Sequence, residues 1–189
     1  MNPQKYDRLQ ALGKQAYLDA LDEIGWFDFP QNNRAQIEAK INESDSDLYL
    51  SLHHLHLFAE DFESDEGFVD VIEKFQAIAG INFQSVDFDF DEAEMEFKIT
   101  AAVDGKTITT WIDRSEYPVS EIEQTLNHLL DNSGSETHFV WLPLESELLF
   151  YVFVPHELYM KAVKKGVIPQ DDQYIEALYD EYDIDETKP

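Results

Sequence analysis

The N-terminal third of the chain carries apolar residues at three- and four-residue spacing. Leu9, Leu12, Ala16, Ala20 and Ile24 form one stripe, which predicts a helix stopped by Gly25 and Pro30. A second helix is expected from Asn33, carrying Ile37 and Ile41, and a third over Leu48 to Phe58. Ser64 and Asp65 are suited to cap a fourth, whose stripe is Phe68, Val71, Ile72, Phe75 and Ile78, with Gly80 at its end.

The period then changes from helical to two. Val86, Phe88 and Phe90 alternate with Asp87, Asp89 and Asp91, as in a strand with one wet face. Phe97, Ile99, Ala101 and Val103 alternate as well, and Asp104-Gly105 separates them from Ile108 and Trp111. An Asp-Gly pair between two such runs predicts a hairpin. Pro118 and the Ser120-x-x-Glu123 capping box open a helix with Ile122, Leu126 and Leu129 inward, and Gly134 lies beyond it. Strands are expected over Thr137 to Leu144 and Glu147 to Val154, joined by a turn at Glu145-Ser146. The second is almost continuously apolar, which places it centrally in its sheet. Pro155 opens a helix that ends at Lys164, Lys165 and Gly166, and a short helix with Ile175, Leu178 and Tyr182 precedes a polar tail. The expected fold class is α+β: an antiparallel sheet of four to five strands covered by helices, with a helical region over 1–80 and an α+β region over 81–189.

Composition supports a folded chain, with 43% hydrophobic and 13% aromatic residues in 189. The charge is what changes the picture. Forty Asp and Glu against thirteen Lys and Arg give a formal net charge of −27. Such a field repels nucleic acid and anionic membrane, and speeds encounter with a basic protein surface. The acidity is clustered. Glu60 to Glu96 holds thirteen acidic residues against Lys74, and Asp171 to Glu186 holds eight with no basic residue. The candidate partner-binding residues are therefore Asp61, Glu63, Asp65, Glu66, Asp87, Asp89, Asp91 and Glu92. The competing explanation is a solvated face that serves solubility alone.

Catalytic and cofactor signatures are sparse. There is no cysteine, so disulfides, thiolate nucleophiles and cysteine-based zinc sites are excluded. His53-His54-x-His56 could place His53 and His56 on one helix face with Glu60, yet a metal needs donors that converge, and the margin of a packed helix suits these histidines better. Asp87-x-Asp89-x-Asp91 looks like the start of a calcium loop, but Glu92 and Lys98 stand where that loop needs Gly and Glu. No phosphate-binding glycine loop and no serine-nucleophile motif occurs. Carboxylate pairs are too abundant to single out a glycosidase. No cofactor, no metal and no enzyme activity is expected. The opening residues lack the apolar stretch of a secretory signal and no run reaches the ~20 residues a membrane span needs, so a cytoplasmic protein is expected.

The stretch Ile99 to Pro169 resembles immunity proteins of bacterial polymorphic toxin systems and similarly built bacterial proteins. It carries the strand ending Val103-Asp104-Gly105-Lys106, a strand through Trp111 and Ile112, and the helix Thr125-Leu126-Asn127-His128-Leu129-Leu130. The hairpin His138 to Val154 and a helix closing in Gly166-Val167-Ile168-Pro169 complete it. The resemblance implies a non-catalytic protein that binds and neutralises one toxin, a nuclease being the class whose basic active site an acidic blocker suits. A secretion adaptor or chaperone-like module is the alternative.

Overall fold

A computed structural model describes residues 3–45, 47–58, 65–80, 85–91, 96–103, 106–113, 119–144 and 148–170. They divide into two compact units that interleave in sequence. The first comprises Met1–His53, Leu142–Glu145 and Val154–Pro189, and the second His54–Trp141 and Ser146–Phe153. Gly80 therefore lies inside the second unit. The described residues hold α-helices and β-strands in an α+β arrangement.

The first unit is helical. The expected opening helix is two helices, α1 (Pro3–Ala11) and α2 (Lys14–Glu23). Gly13 separates them at φ +92°, a backbone state that side chains rarely adopt, and Leu12 of the expected stripe is exposed. A 3-10 turn (Trp26–Asp28) leads to α3 (Arg34–Glu43), whose start is fixed by Asn33 accepting from the Gln36 N–H at 3.1 Å. A second 3-10 turn spans Leu48–Leu52. The last described helix, α6 (His156–Lys165), closes on Gly166, with Val167 N–H donating to the Ala162 carbonyl at 2.8 Å. Tyr17, Leu21, Trp26, Ile41 and Tyr159 are fully buried in this unit. Tyr17 donates to the Val167 carbonyl at 2.9 Å, and the Tyr6 and Tyr49 rings meet edge to face at 5.2 Å.

Basic side chains of this unit are largely engaged within it. Arg34 grips Asp22 with both terminal nitrogens, reaches Glu38 at 2.6 Å and covers the Phe27 ring at 4.7 Å. Lys165 pairs with Glu23, Lys14 donates to the Asn42 carbonyl, and Lys40 to the His53 carbonyl.

The second unit holds β1 (Leu55–Phe58), α4 (Asp65–Ala79), β2 (Ser85–Asp91), β3 (Glu96–Val103), β4 (Lys106–Asp113), α5 (Val119–Ser133), β5 (Thr137–Leu142) and most of β6 (Leu148–Pro155). Among the described residues, the expected sheet of four to five strands is instead two three-stranded sheets, ordered β1-β6-β5 and β2-β3-β4. The division has a local cause. β2, β3 and β4 satisfy one another as a meander, and β6 takes its second neighbour from β1. The helix expected over Leu48 to Phe58 is that 3-10 turn followed by β1. There Leu55 and Leu57 are buried between exposed His56 and Phe58, a period of two that pairs antiparallel with β6. The expected central place of the last strand is observed, since β6 lies between β1 and β5.

The core of this unit joins α4 and α5 to one face of that sheet. Val71, Ile72 and Phe75 of α4 and Leu126, Leu129 and Leu130 of α5 meet Leu55, Leu57, Phe139, Tyr151 and Phe153. Phe75 sits among aromatic rings, 4.7 Å from Phe139 and 5.4 Å from Tyr151 between centroids. α5 also packs against β4. The turns at Asp104-Gly105 and Glu145-Ser146, and the helix expected around Ile175 to Tyr182, lie outside the described residues.

Candidate functional site

The three strands β2, β3 and β4 carry the acidic alternation seen in the sequence. Their pairing is antiparallel and in continuous register, so residues opposite one another share a face. One cross-strand row is Asp87, Thr100 and Thr109, the next is Asp89, Lys98 and Trp111, and the row at the end is Asp91, Glu96 and Asp113. Val86, Phe88, Phe90, Phe97, Ile99, Ile108 and Ile112 occupy the other face by the same register.

The polar face meets water at the threonines. Thr107 and Thr109 are exposed, and the Thr100 and Thr109 hydroxyls are hydrogen-bonded across the strands at 3.2 Å. Five carboxylate residues and one lysine belong to this face by register. The end row sets three acidic residues side by side, an arrangement that destabilises a sheet when the charges have no partner.

The candidate residues from the sequence separate into three groups. Asp87, Asp89 and Asp91 stand together on β2. Asp65 and Glu66 belong to another element, the first turn of α4, where a negative charge complements the helix dipole. Asp61, Glu63 and Glu92 lie outside the described residues. Glu96 and Asp113 were not among the candidates, although counting back from the two-residue Asp104-Gly105 turn pairs them with each other.

The histidines do not lie on a helix as expected. His53 ends the second 3-10 turn, His54 precedes β1 and His56 is on β1, with its ring 5.9 Å from Phe58 and 6.1 Å from Phe150. Strand pairing to β6 overrides the helical spacing that placed His53 and His56 on one face. Among the described residues, no group of three or more His, Asp or Glu side chains is placed to hold a metal ion. His138 is buried on β5 with Nε2 2.5 Å from Asp131 Oδ1 on α5, a pair that ties helix to strand. Among the described residues no helix is long and apolar enough to cross a membrane.

Comparison of the chain with protein-family models, with curated proteins and with solved structures finds no match in any of the three.

Proposed function

We propose that the protein acts by binding rather than catalysis, as an acidic immunity or inhibitor protein that neutralises a basic bacterial toxin in the cytoplasm. The face carrying Asp87, Asp89, Asp91, Glu96 and Asp113 docks on the toxin's cationic surface and occludes its active site. A nuclease is the toxin class this chemistry suits, because a site that holds phosphates is itself positive. The observation that carries the reading is the end row, Asp91, Glu96 and Asp113 in register across three strands. Like charges side by side cost the free protein stability. A cationic partner removes that cost on binding, so the row favours the complex.

The test is capture of partners from the native host, followed by co-expression of each captured protein with and without this chain. One stoichiometric basic partner whose toxicity the chain relieves supports the reading. Several unrelated clients, none of them toxic, would overturn it in favour of an adaptor or chaperone-like module.

A further inference from the structure

In a chain with a formal net charge of −27, one surface of the first unit has the opposite sign. α6 buries Leu158, Tyr159, Ala162 and Val163 and leaves Lys161, Lys164 and Lys165 exposed, against a single acidic residue, Glu157. Its carbonyl end meets α1. Lys5 Nζ donates to the Lys164 carbonyl at 3.2 Å, and a Cβ on Gly166 would lie 2.7 Å from Lys5 Cβ. Arg8 follows Lys5 by one helical turn and is exposed, while Asp7, two residues from Lys5, stands on another side of α1. Lys165 is paired with Glu23. Lys5, Arg8, Lys161 and Lys164 thus form a cationic ridge on α1 and α6. The α6 dipole accounts for cations in its last turn, but not for Lys161 before that turn or for Arg8 on another helix.

The chain leaves this helix toward a segment of opposite charge. Ile168 N–H donates to the Ala162 carbonyl at 3.3 Å and Gln170 Nε2 to the Tyr159 hydroxyl at 3.2 Å, which holds residues 168–170 against α6. From Asp171 to Glu186, outside the described residues, the sequence carries eight acidic residues and no basic one. We infer that this acidic C-terminal segment docks on the ridge of Lys5, Arg8, Lys161 and Lys164, an intramolecular clamp with which any basic partner of the segment must compete.

Reach and charge both favour the contact. A helix with its side chains is about 10–12 Å across, and extended chain covers about 3.3 Å per residue, so a few residues past Gln170 carry the chain round α6. Glu176, Asp180, Glu181 and Asp183 then fall within reach of the ridge. Tethering at Gln170 gives these carboxylates a local concentration on the order of millimolar, so ion pairs too weak to hold a separate peptide still hold the segment. The contact is independent of the β2-β3-β4 face, since α1, α6 and residues 154–189 all belong to the first unit.

The experiment uses the full chain. It has no cysteine, so Thr187→Cys offers a single attachment point for a nitroxide near the end of the segment. Paramagnetic broadening of backbone amides is read by NMR at about 10 mM and about 1 M salt, between which the screening length falls from about 30 Å to about 3 Å. At low salt the amides of Arg8, Lys161 and Lys164 should broaden most, and the effect should fall severalfold at high salt. Lys161→Glu combined with Lys164→Glu should abolish that salt dependence, and the neutral pair Lys161→Gln with Lys164→Gln should weaken it. Broadening that is spread evenly, centred elsewhere or indifferent to salt would overturn the inference. So would broadening confined to mixtures of nitroxide-bearing and isotope-labelled chains, which would place the segment on a second copy. If the double reversal does not fold, the salt series of the unaltered ridge and the neutral pair still decide the question.

Discussion

The Asn127 side chain exchanges two hydrogen bonds with the main chain of Phe139: Nδ2 donates to the carbonyl at 2.8 Å, and Oδ1 accepts from the N–H at 2.9 Å. β5 is an edge strand of its sheet, and Asn127 occupies the place that a further strand would take. One residue of α5 thus satisfies a buried edge position and fixes the helix to the sheet.

Asn127→Ala should therefore destabilise the protein by about 2–4 kcal/mol, since it leaves a buried donor and a buried acceptor without partners. Asn127→Asp keeps the acceptor but sets a carboxylate against the Phe139 carbonyl, and should cost at least as much. Gln15→Ala, which removes an exposed bond to Asp19, should change stability by no more than about 0.5 kcal/mol. Urea unfolding of the three variants checks the order, and a cost at Asn127 no larger than at Gln15 would contradict the edge role.

Phe75 is fully buried and meets Phe139 and Tyr151 edge to face. Phe75→Ala should cost on the order of 3–5 kcal/mol, while Phe75→Leu, which keeps most of the volume, should cost less by roughly half. Thermal and chemical unfolding of both variants measures the difference. Equal costs would mean that ring geometry at this position contributes more than volume.

Much of this arrangement follows from local patterning. The end of α6 follows from Gly166 at its C-cap, and β3 and β4 follow from the period-two alternation of Phe97, Ile99 and Ala101 and of Ile108 and Ile112. The break between α1 and α2 was hidden because Leu12 and Ala16 keep the apolar spacing across Gly13. β1 was hidden because it has only four residues, and its strand character depends on β6, roughly a hundred residues away in sequence. Long-range pairing of that kind leaves little local trace. The acidic face was legible only as far as β2, since Glu96 and Asp113 join it through pairing. Its role was not legible, because a solvated face and a docking face have the same alternation.

Alkaline pH should reveal the buried tyrosines. Burial, with a smaller effect of the Asp47 charge, pushes the Tyr49 hydroxyl up to about 12, and Tyr6, Tyr17 and Tyr151 are raised further. Burial is the main cause in each, with Glu123 adding to it at Tyr151. A raised folded pKa favours the folded state while the phenol is protonated. That stability is complete below the unfolded value near pH ~10 and is lost as pH rises from there toward the folded values. Of the nine tyrosines, these four should ionise only as the chain unfolds, in one cooperative step seen by tyrosinate absorbance. Smooth, independent titration of all nine would contradict their burial.

The acidic face makes the functional prediction, and its end row lets stability and binding be separated. Replacing Glu96 by Lys puts a cation between Asp91 and Asp113 in the cross-strand row. Opposite charges across strands are favourable and like charges are not, so Glu96→Lys should raise stability by about 0.2–1 kcal/mol. The same change removes two units of negative charge from the face and should slow association with a basic toxin. Reversing Asp87, Asp89 and Asp91 together should slow it further, whereas reversal at the exposed Asp7 and Asp19 should matter less. For the unaltered protein, association should weaken steeply with salt, because screening shortens electrostatic reach to about 8 Å at physiological ionic strength, while dissociation changes less. Stopped-flow kinetics with the captured partner, together with growth rescue, measures all of these. A variant that is more stable yet binds more slowly than equal charge reversals at Asp7 and Asp19 supports a role for the face in the encounter. If Glu96→Lys and the triple reversal leave association and rescue unchanged, the carboxylates of this face serve solubility and the partner binds elsewhere.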